Sequence, residues 1–249
     1  MKRLLKAFIE SPASRSAAAA LRATWTRYNE IALNIDTVPD GPVGVLADGK
    51  ARSGYDGEYT DKALFNDNTY YESPDYWYLR KIAKMLESAT GPEAVFYDIG
   101  SGKGRVLCLM AQRPFKRVVG VELFEDLCKA AEQNAKRMRG RKAKIDIICE
   151  DAAKTDLSDG TVYFLFNPFG AATMREVLKN IRRSLDEKPR EVIVVYYNAI
   201  YGEILQESGW LETYDAFYTA TERKVSFWKS CPRAMQTHAA VKERAAVSA

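Results

Sequence analysis

Histidine is almost missing. The one imidazole in 249 residues, His238, lies in a polar, alanine-bearing tail, so a histidine-based catalytic triad or a histidine zinc centre has nothing to draw on. Cysteine is thin as well. Cys108, Cys128, Cys149 and Cys231 form no C-x-x-C pair, which removes the common zinc and redox spacings and leaves buried free thiols in a reducing compartment as the expectation. No metal site is expected. Long apolar runs are absent too: the opening "MKRLLKAFIESPASRSAAAALRATW" is broken by Lys6 and Glu10, so it offers neither a signal-peptide core nor a bilayer span. A cytoplasmic location and no membrane partner are therefore expected, with an arginine- and alanine-bearing transit peptide as the alternative. Nor does one sign of charge dominate. Lys plus Arg 37 against Asp plus Glu 33 leaves a net +4, which is no strong nucleic-acid signature.

What is present is alternation. Residues 1 to about 35 read as helical, and seven prolines and glycines between Thr37 and Gly57 mark a turn-rich connector. An aromatic stretch follows, from Tyr55 to Tyr78. In "SPDYWYLRKIAKMLES", Ser73 can cap a helix, Pro74 suits its first position, and Tyr78, Ile82, Met85 and Leu86 recur at helical spacing. From there short apolar runs, "AVFYDI", "RVVGV", "KIDIIC", "TVYFLF" and "EVIVVYY", alternate with amphipathic helices. Strand after helix after strand implies a parallel sheet covered on both faces. The closing pair, "WLETYDAFYT" and "KVSFWKS", is joined by "TATER", short enough for a hairpin, so one strand is expected to run antiparallel. Three segments result: an extension over 1–72, an α/β domain over 73–230 and a tail over 231–249.

The chemistry concentrates in "YDIGSGKGRV", Tyr97 to Val106, at the turn leaving the first strand of this series, where open α/β sheets bind ligands. A phosphate-binding P-loop requires G-x-x-x-x-G-K-[ST]; here the leading position is Tyr97 and the last is Gly104. A dinucleotide fingerprint requires G-x-G-x-x-G, and its third glycine is replaced by Arg105 or Leu107 in the two possible registers. What fits is acid-x-G-x-G-x-G, met by Asp98, Gly100, Gly102 and Gly104, with Ser101 inside the loop. A second acid, Glu122, ends the next strand and suits two ribose hydroxyls. After the third strand, "CEDAA" places Asp151 and Ala152 at a strand end, which the resemblance drawn below implies serve the adenine amino group and a ring nitrogen, with Glu150 as rival because a one-residue slip reverses a strand-end side chain.

With these residues the chain resembles the class I S-adenosylmethionine (SAM)-dependent methyltransferases over roughly Ser73 to Ser230. The resemblance implies a Rossmann-like α/β fold of seven strands, one of them antiparallel, and SAM as cofactor. It also implies that Asp98 lies near the methionyl ammonium. "FNPFG" after the fourth strand falls where that family faces its methyl acceptor, so Asn167, Pro168 and Phe169 are candidates for the reaction. An Asn carbonyl can accept from an attacking amine while an aromatic ring covers it. The family's related N-P-P-Y pattern has a second proline and a hydroxyl that this chain lacks, which argues against adenine and glutamine-amide acceptors.

The aromatic stretch, Tyr70 and Tyr71 within it, is expected to act as a substrate lid, with N-terminal core packing as the alternative. Glu58, Asp61 and Glu72 are the carboxylates available to take a proton. The basic run from Lys136 to Lys144 is expected to be a solvated turn on the far edge. Methylation of an amine nitrogen, protein lysine foremost, is the expected activity. RNA, a small molecule and a non-catalytic SAM-binding module remain open.

Overall fold

The computed structural model describes residues 12–38, 44–45, 51–52 and 72–231. Tyr55, Glu58, Asp61, Tyr70, Tyr71 and His238 lie outside the described residues. Helix α1 (Pro12–Leu33), the two-residue strands β1 (Gly44–Val45) and β2 (Ala51–Arg52), and α2 (Tyr76–Ala89) come first. The alternating part is β3 (Val95–Ile99), α3 (Arg105–Met110), β4 (Arg117–Glu122), α4 (Glu125–Arg137), β5 (Lys144–Cys149), β6 (Val162–Phe166), α5 (Ala171–Glu187), β7 (Ile193–Tyr197) and α6 (Gly202–Glu207). The hairpin of β8 (Leu211–Tyr218) and β9 (Lys224–Ser230) closes it.

Seven strands form one sheet in the order β5-β4-β3-β6-β7-β9-β8. β3 lies between β4 and β6, all parallel, and β9 alone runs against β7 and β8. The expected single antiparallel strand is thus β9. Strand order reverses between β4 and β6 around β3, which makes the carboxyl end of β3 the switch point.

Two apolar layers sandwich the sheet. On one face Phe96, Phe164, Val195 and Phe227 pack with Leu79, Ile82 and Leu86 of α2 and with α3; on the other Tyr97, Val119, Leu165 and Val194 pack with Met174, Val177, Leu178 and Ile181 of α5. β3 is buried on both sides because its residues alternate between these layers.

Helix α2 begins later than its sequence suggests. Asp75 is the N-cap and accepts from the Trp77 amide at 2.7 Å, whereas Ser73 donates its hydroxyl to the Thr37 carbonyl. A carboxylate two residues before an open amide outcompetes a hydroxyl already used elsewhere. The buried face is consequently Tyr76, Leu79, Ile82, Ala83 and Leu86, with Tyr78 and Met85 only half-buried.

Helix α1 meets the domain through its last turn. Glu30 is 1 % exposed and accepts from the Thr37 amide, the Thr37 hydroxyl and the Tyr76 hydroxyl. Arg105, 5 % exposed, lies 3.3 Å from the Glu30 carboxylate through Nη2, too poorly aligned for a hydrogen bond there, while Nε donates to Thr37 and Nη1 to the Pro74 carbonyl. A buried pair of this kind adds little over an apolar packing, yet breaking it costs about 3–5 kcal/mol. The turn from Lys136 to Lys144 is mostly exposed, as expected, but it also seats α1: the Arg139 amide donates to the Leu33 carbonyl and Asn34 to the Arg137 carbonyl. Cys108 and Cys128 are buried, Cys231 is half-buried and Cys149 is exposed, so the thiol at the end of edge strand β5 departs from the expected burial. All four are free. Among the described residues no helix is long and apolar enough to cross a membrane.

Candidate functional site

The glycine loop crosses the tip of β3 and is tied to the next strand: the Gly100 and Ser101 amides both donate to the Val121 carbonyl, at 2.8 and 3.0 Å. Two of its glycines are needed for space as well as conformation. Gly100 has φ +78°, and a Cβ there would sit 2.4 Å from the Pro168 Cβ. Gly104 has φ +82° and faces Ala131 of α4 at 3.2 Å. The first contact presses the "NPF" turn onto the loop, bringing together two motifs more than sixty residues apart in sequence.

Asp98 is 2 % exposed, and its Oδ2 is buried without a hydrogen-bond partner; the Ser101 hydroxyl is buried and unpartnered too. Such orphaned atoms cost free energy unless something arrives to bond them. Burial, reinforced by the neighbouring Glu122 charge, holds the Asp98 carboxyl well above the usual carboxylate range. Glu122 accepts from the Gly102, Leu123 and Phe124 amides at 2.8, 2.9 and 3.1 Å. Even so, burial outweighs those three donors and raises its pKa. Three amides leave lone-pair capacity on this carboxylate for one more donor. Lys103, by contrast, turns from the loop and donates to the Val38 carbonyl at 3.1 Å, so the loop directs no cation at a phosphate there.

These features fit SAM: a buried carboxylate for an ammonium, an acid at the next strand tip for ribose, and glycines that admit close approach. Asp151 is half-buried, accepts from the Ala153 amide and lies 3.5 Å from Lys154; Ala152 packs against the core, and Glu150 is exposed.

Just past the tip of β6, Asn167 holds a left-handed backbone, φ +46°, and its Oδ1 accepts from the Tyr196 hydroxyl at 3.2 Å. A non-glycine residue in that region is strained and is held by its surroundings. Pro168 is half-buried against Gly100. Phe169 departs from its expected position: at 3 % exposure its ring belongs to the core layer with α5 and presents almost no surface to an acceptor.

A cavity of about 220 Å³ lies at the carboxyl end of β7, lined by Arg22, Glu72, Asp75, Tyr78, Tyr197 and Arg223 among others. The Phe166 and Tyr197 rings, at the ends of β6 and β7, meet edge-on at 4.7 Å, and the Arg223 guanidinium lies 5.5 Å over Phe166. Glu72, one of the expected proton acceptors, is held by Arg223 at 2.7 Å. Asp75, Tyr197 and Arg223 escape the sequence reading. The rule that marked Asn167, a residue at a carboxyl strand tip, would have found Tyr197 had it been carried one strand further. Arg223 has no such signal, because it reaches the cavity only through the closing hairpin. Among the described residues no group of His, Cys, Asp and Glu could hold a metal ion.

Residues 96–188 match a family model described as a methyltransferase domain. Among solved structures the chain is similar to an RNA methyltransferase from Salinibacter ruber in complex with S-adenosyl-L-homocysteine, at 21% identity over 65% of this chain and 95% of that one, TM-score 0.48. It is also similar to a SAM-dependent methyltransferase from Aquifex aeolicus, at 14% identity over 64% and 100%, TM-score 0.46. A third likeness is to magnesium protoporphyrin IX methyltransferase from Synechocystis, at 14% over 62% and 77%, TM-score 0.47. No curated protein matches the chain.

Proposed function

We propose that the chain is a class I SAM-dependent methyltransferase, a reading supported by the methyltransferase-domain match over residues 96–188, and that it methylates an amine nitrogen, a protein lysine foremost, in the cytoplasm. The observation that carries the site assignment is the pair of buried, partnerless atoms, Asp98 Oδ2 and Ser101 Oγ, in a glycine loop that touches the "NPF" turn.

In this reading Asp98, Ser101 and the Gly100, Gly102 and Gly104 backbone hold the methionyl part, Glu122 the ribose, and Asp151 with Ala152 the adenine. Bound there, SAM supplies an electrophilic methyl group on a sulfonium. The chain's own work is alignment and exclusion of water, which suffice for a displacement with a good leaving group. Asn167, fixed by Tyr196, offers its carbonyl oxygen to the acceptor's N–H, and the Pro168 contact sets the distance between that oxygen and the loop. The cavity suits the acceptor. Tyr78 and Tyr197 line it with rings that favour an ammonium, and Asp75 supplies a carboxylate not committed to an arginine that can hold the charged amine and take its proton. Glu72, tied to Arg223, shapes the wall. Tyr71 stays a candidate for the lid over this opening.

The test incubates the purified protein with methyl-labelled SAM and cell extract, then separates protein, nucleic acid and metabolites. Label on lysine in protein is expected; label in RNA or in a metabolite alone overturns the acceptor assignment. Asn167→Ala should keep SAM binding by calorimetry and lose transfer. Loss of SAM binding in that variant would remove Asn167 from the acceptor side.

A further inference from the structure

Helix α1 is too exposed to be there for packing alone. Between Ala17 and Tyr28 none of its residues is buried, and at 22 residues it is about 33 Å long. Its anchorage is the last turn, Asn29, Glu30 and Leu33. A bare helix of this length is marginal in water, and most helices in proteins are held by an apolar face packed on something. Here that face is uncovered: Leu21 is 71 % exposed, Tyr28 61 %, Ile31 59 % and Trp25 37 %. The spacing of Leu21, Trp25 and Tyr28 puts all three on one stripe, and the Trp25 and Tyr28 rings stack at 5.6 Å.

The charges of the same helix are one-sided. Arg15, Arg22 and Arg27 face a single acid, Glu30, and Glu30 is spent in its buried network. Arg22 and Arg27 are exposed and flank the stripe on its two sides, since a step of one residue from Leu21 and one of two residues from Trp25 rotate them away in opposite directions. The preceding residues add Lys2, Arg3 and Lys6 with Leu4, Leu5, Phe8 and Ile9. We propose that α1 lies on an anionic lipid surface, with the Leu21, Trp25 and Tyr28 stripe in the headgroup boundary and the arginines against lipid phosphates.

Charge complementarity decides between occupants. A second copy would set arginines against arginines, whereas an anionic surface neutralises them and takes up the aromatic stripe at a depth where Trp and Tyr are favoured. The absence of a membrane-spanning run in the sequence bears only on elements that cross a bilayer. An element that lies on a bilayer needs a basic amphipathic face and no long apolar run. On a cytoplasmic protein the natural target is the inner leaflet, whose anionic lipids attract basic segments. The cavity wall containing Arg22 and Thr26 belongs to the same helix, so docking would hold the acceptor opening close to the membrane.

The experiment is co-sedimentation with vesicles of phosphatidylcholine, with and without phosphatidylglycerol. We expect binding to the anionic vesicles, little to the neutral ones, and a fall as salt is raised. The triple variant Leu21→Ser, Trp25→Ser, Tyr28→Ser should weaken binding by about tenfold or more, and Arg27→Glu by less. Both should keep the SAM-induced thermal shift of the parent, which shows that the fold and cofactor site are intact. The proposal is overturned if the parent ignores anionic vesicles, or if the triple variant binds them as the parent does. It is equally overturned if the parent is a dimer that the triple variant converts to monomer, or if RNA and not lipid is what the triple variant ceases to bind.

Discussion

The proposed floor around Asp98 draws on residues 98 to 152, contributed by the turns that leave three strands successive in the chain, β3, β4 and β5. The cavity at the end of β7 gathers Arg22, Asp75, Tyr197 and Arg223 from four distant parts of the chain. The floor is made of backbone, glycine and buried acid, and stores unmet hydrogen-bonding capacity at Asp98 and Ser101. The cavity is made of side chains that are largely engaged: Arg223 pairs with Glu72 across it, while Arg105 reaches back to Glu30 and Asp75 caps the Trp77 amide. With the roles proposed above, the floor is prepared before its ligand arrives and is destabilised without it, whereas the wall can be rebuilt residue by residue. The link between the two is Arg105, one residue past Gly104, whose partners all lie in the N-terminal part.

Breaking that link should have the largest effect. Glu30→Gln leaves a buried guanidinium without its counter-charge and should cost about 3–5 kcal/mol in urea unfolding. A Glu30→Gln, Arg105→Met double variant, which removes both charges and keeps an acceptor for Thr37 and Tyr76, should recover part of the loss. If the single change costs nothing, floor and wall are independent.

On the floor, Gly100→Ala forces a Cβ to 2.4 Å from Pro168 at φ +78°. SAM affinity by calorimetry should fall by roughly a hundredfold, about 2.8 kcal/mol. An equal change at Gly91, where an added Cβ meets nothing within 4 Å, should leave it unchanged.

Asp98→Asn sharpens the contrast, because it should move stability and binding in opposite senses. A carboxyl held above its ordinary range by burial favours folding when protonated. That contribution is whole below the unfolded pKa, near 3.9, and is lost as pH rises through the folded value. The ligand-free variant should therefore melt above the parent at pH 7 and level with it near pH 3.5. Its SAM affinity should drop about tenfold, since a charge-assisted bond to the methionyl ammonium becomes a neutral one. A lower melting temperature at pH 7 would show that Asp98 is already satisfied.

The smallest effect belongs to the wall. Asp75→Ala removes a helix cap and should cost about 1 kcal/mol, while acceptor KM rises and SAM affinity stays put. A change in SAM affinity instead would merge the two regions.

The glycine loop, Glu122 at a strand tip and the order of strands and helices are all legible in the chain, because each depends on residues within one turn of each other or on a period of two or 3.6. Where reading stops is equally physical. Ser73 carries the right chemistry for a cap, but its hydroxyl is claimed by Thr37 across the fold, and Asp75 takes the place. Phe169 looks like an acceptor-facing ring until α5 draws it into the core. The exposure of Leu21, Trp25 and Tyr28 is invisible without knowing that, among the described residues, the buried part of α1 is its last turn.

By itself, then, the amino-acid order determined that a parallel sheet with one reversed strand would present an acid-and-glycine turn at its first switch point, since local sterics and side-chain periodicity suffice for that. Which carboxylate would lie unpaired in the dark, which arginines would be neutralised, and what would line the cavity at the end of β7 were decided only by tertiary packing. Burial and pairing are properties of neighbours in space, and those neighbours are brought in from as far away as Arg22 and Arg223.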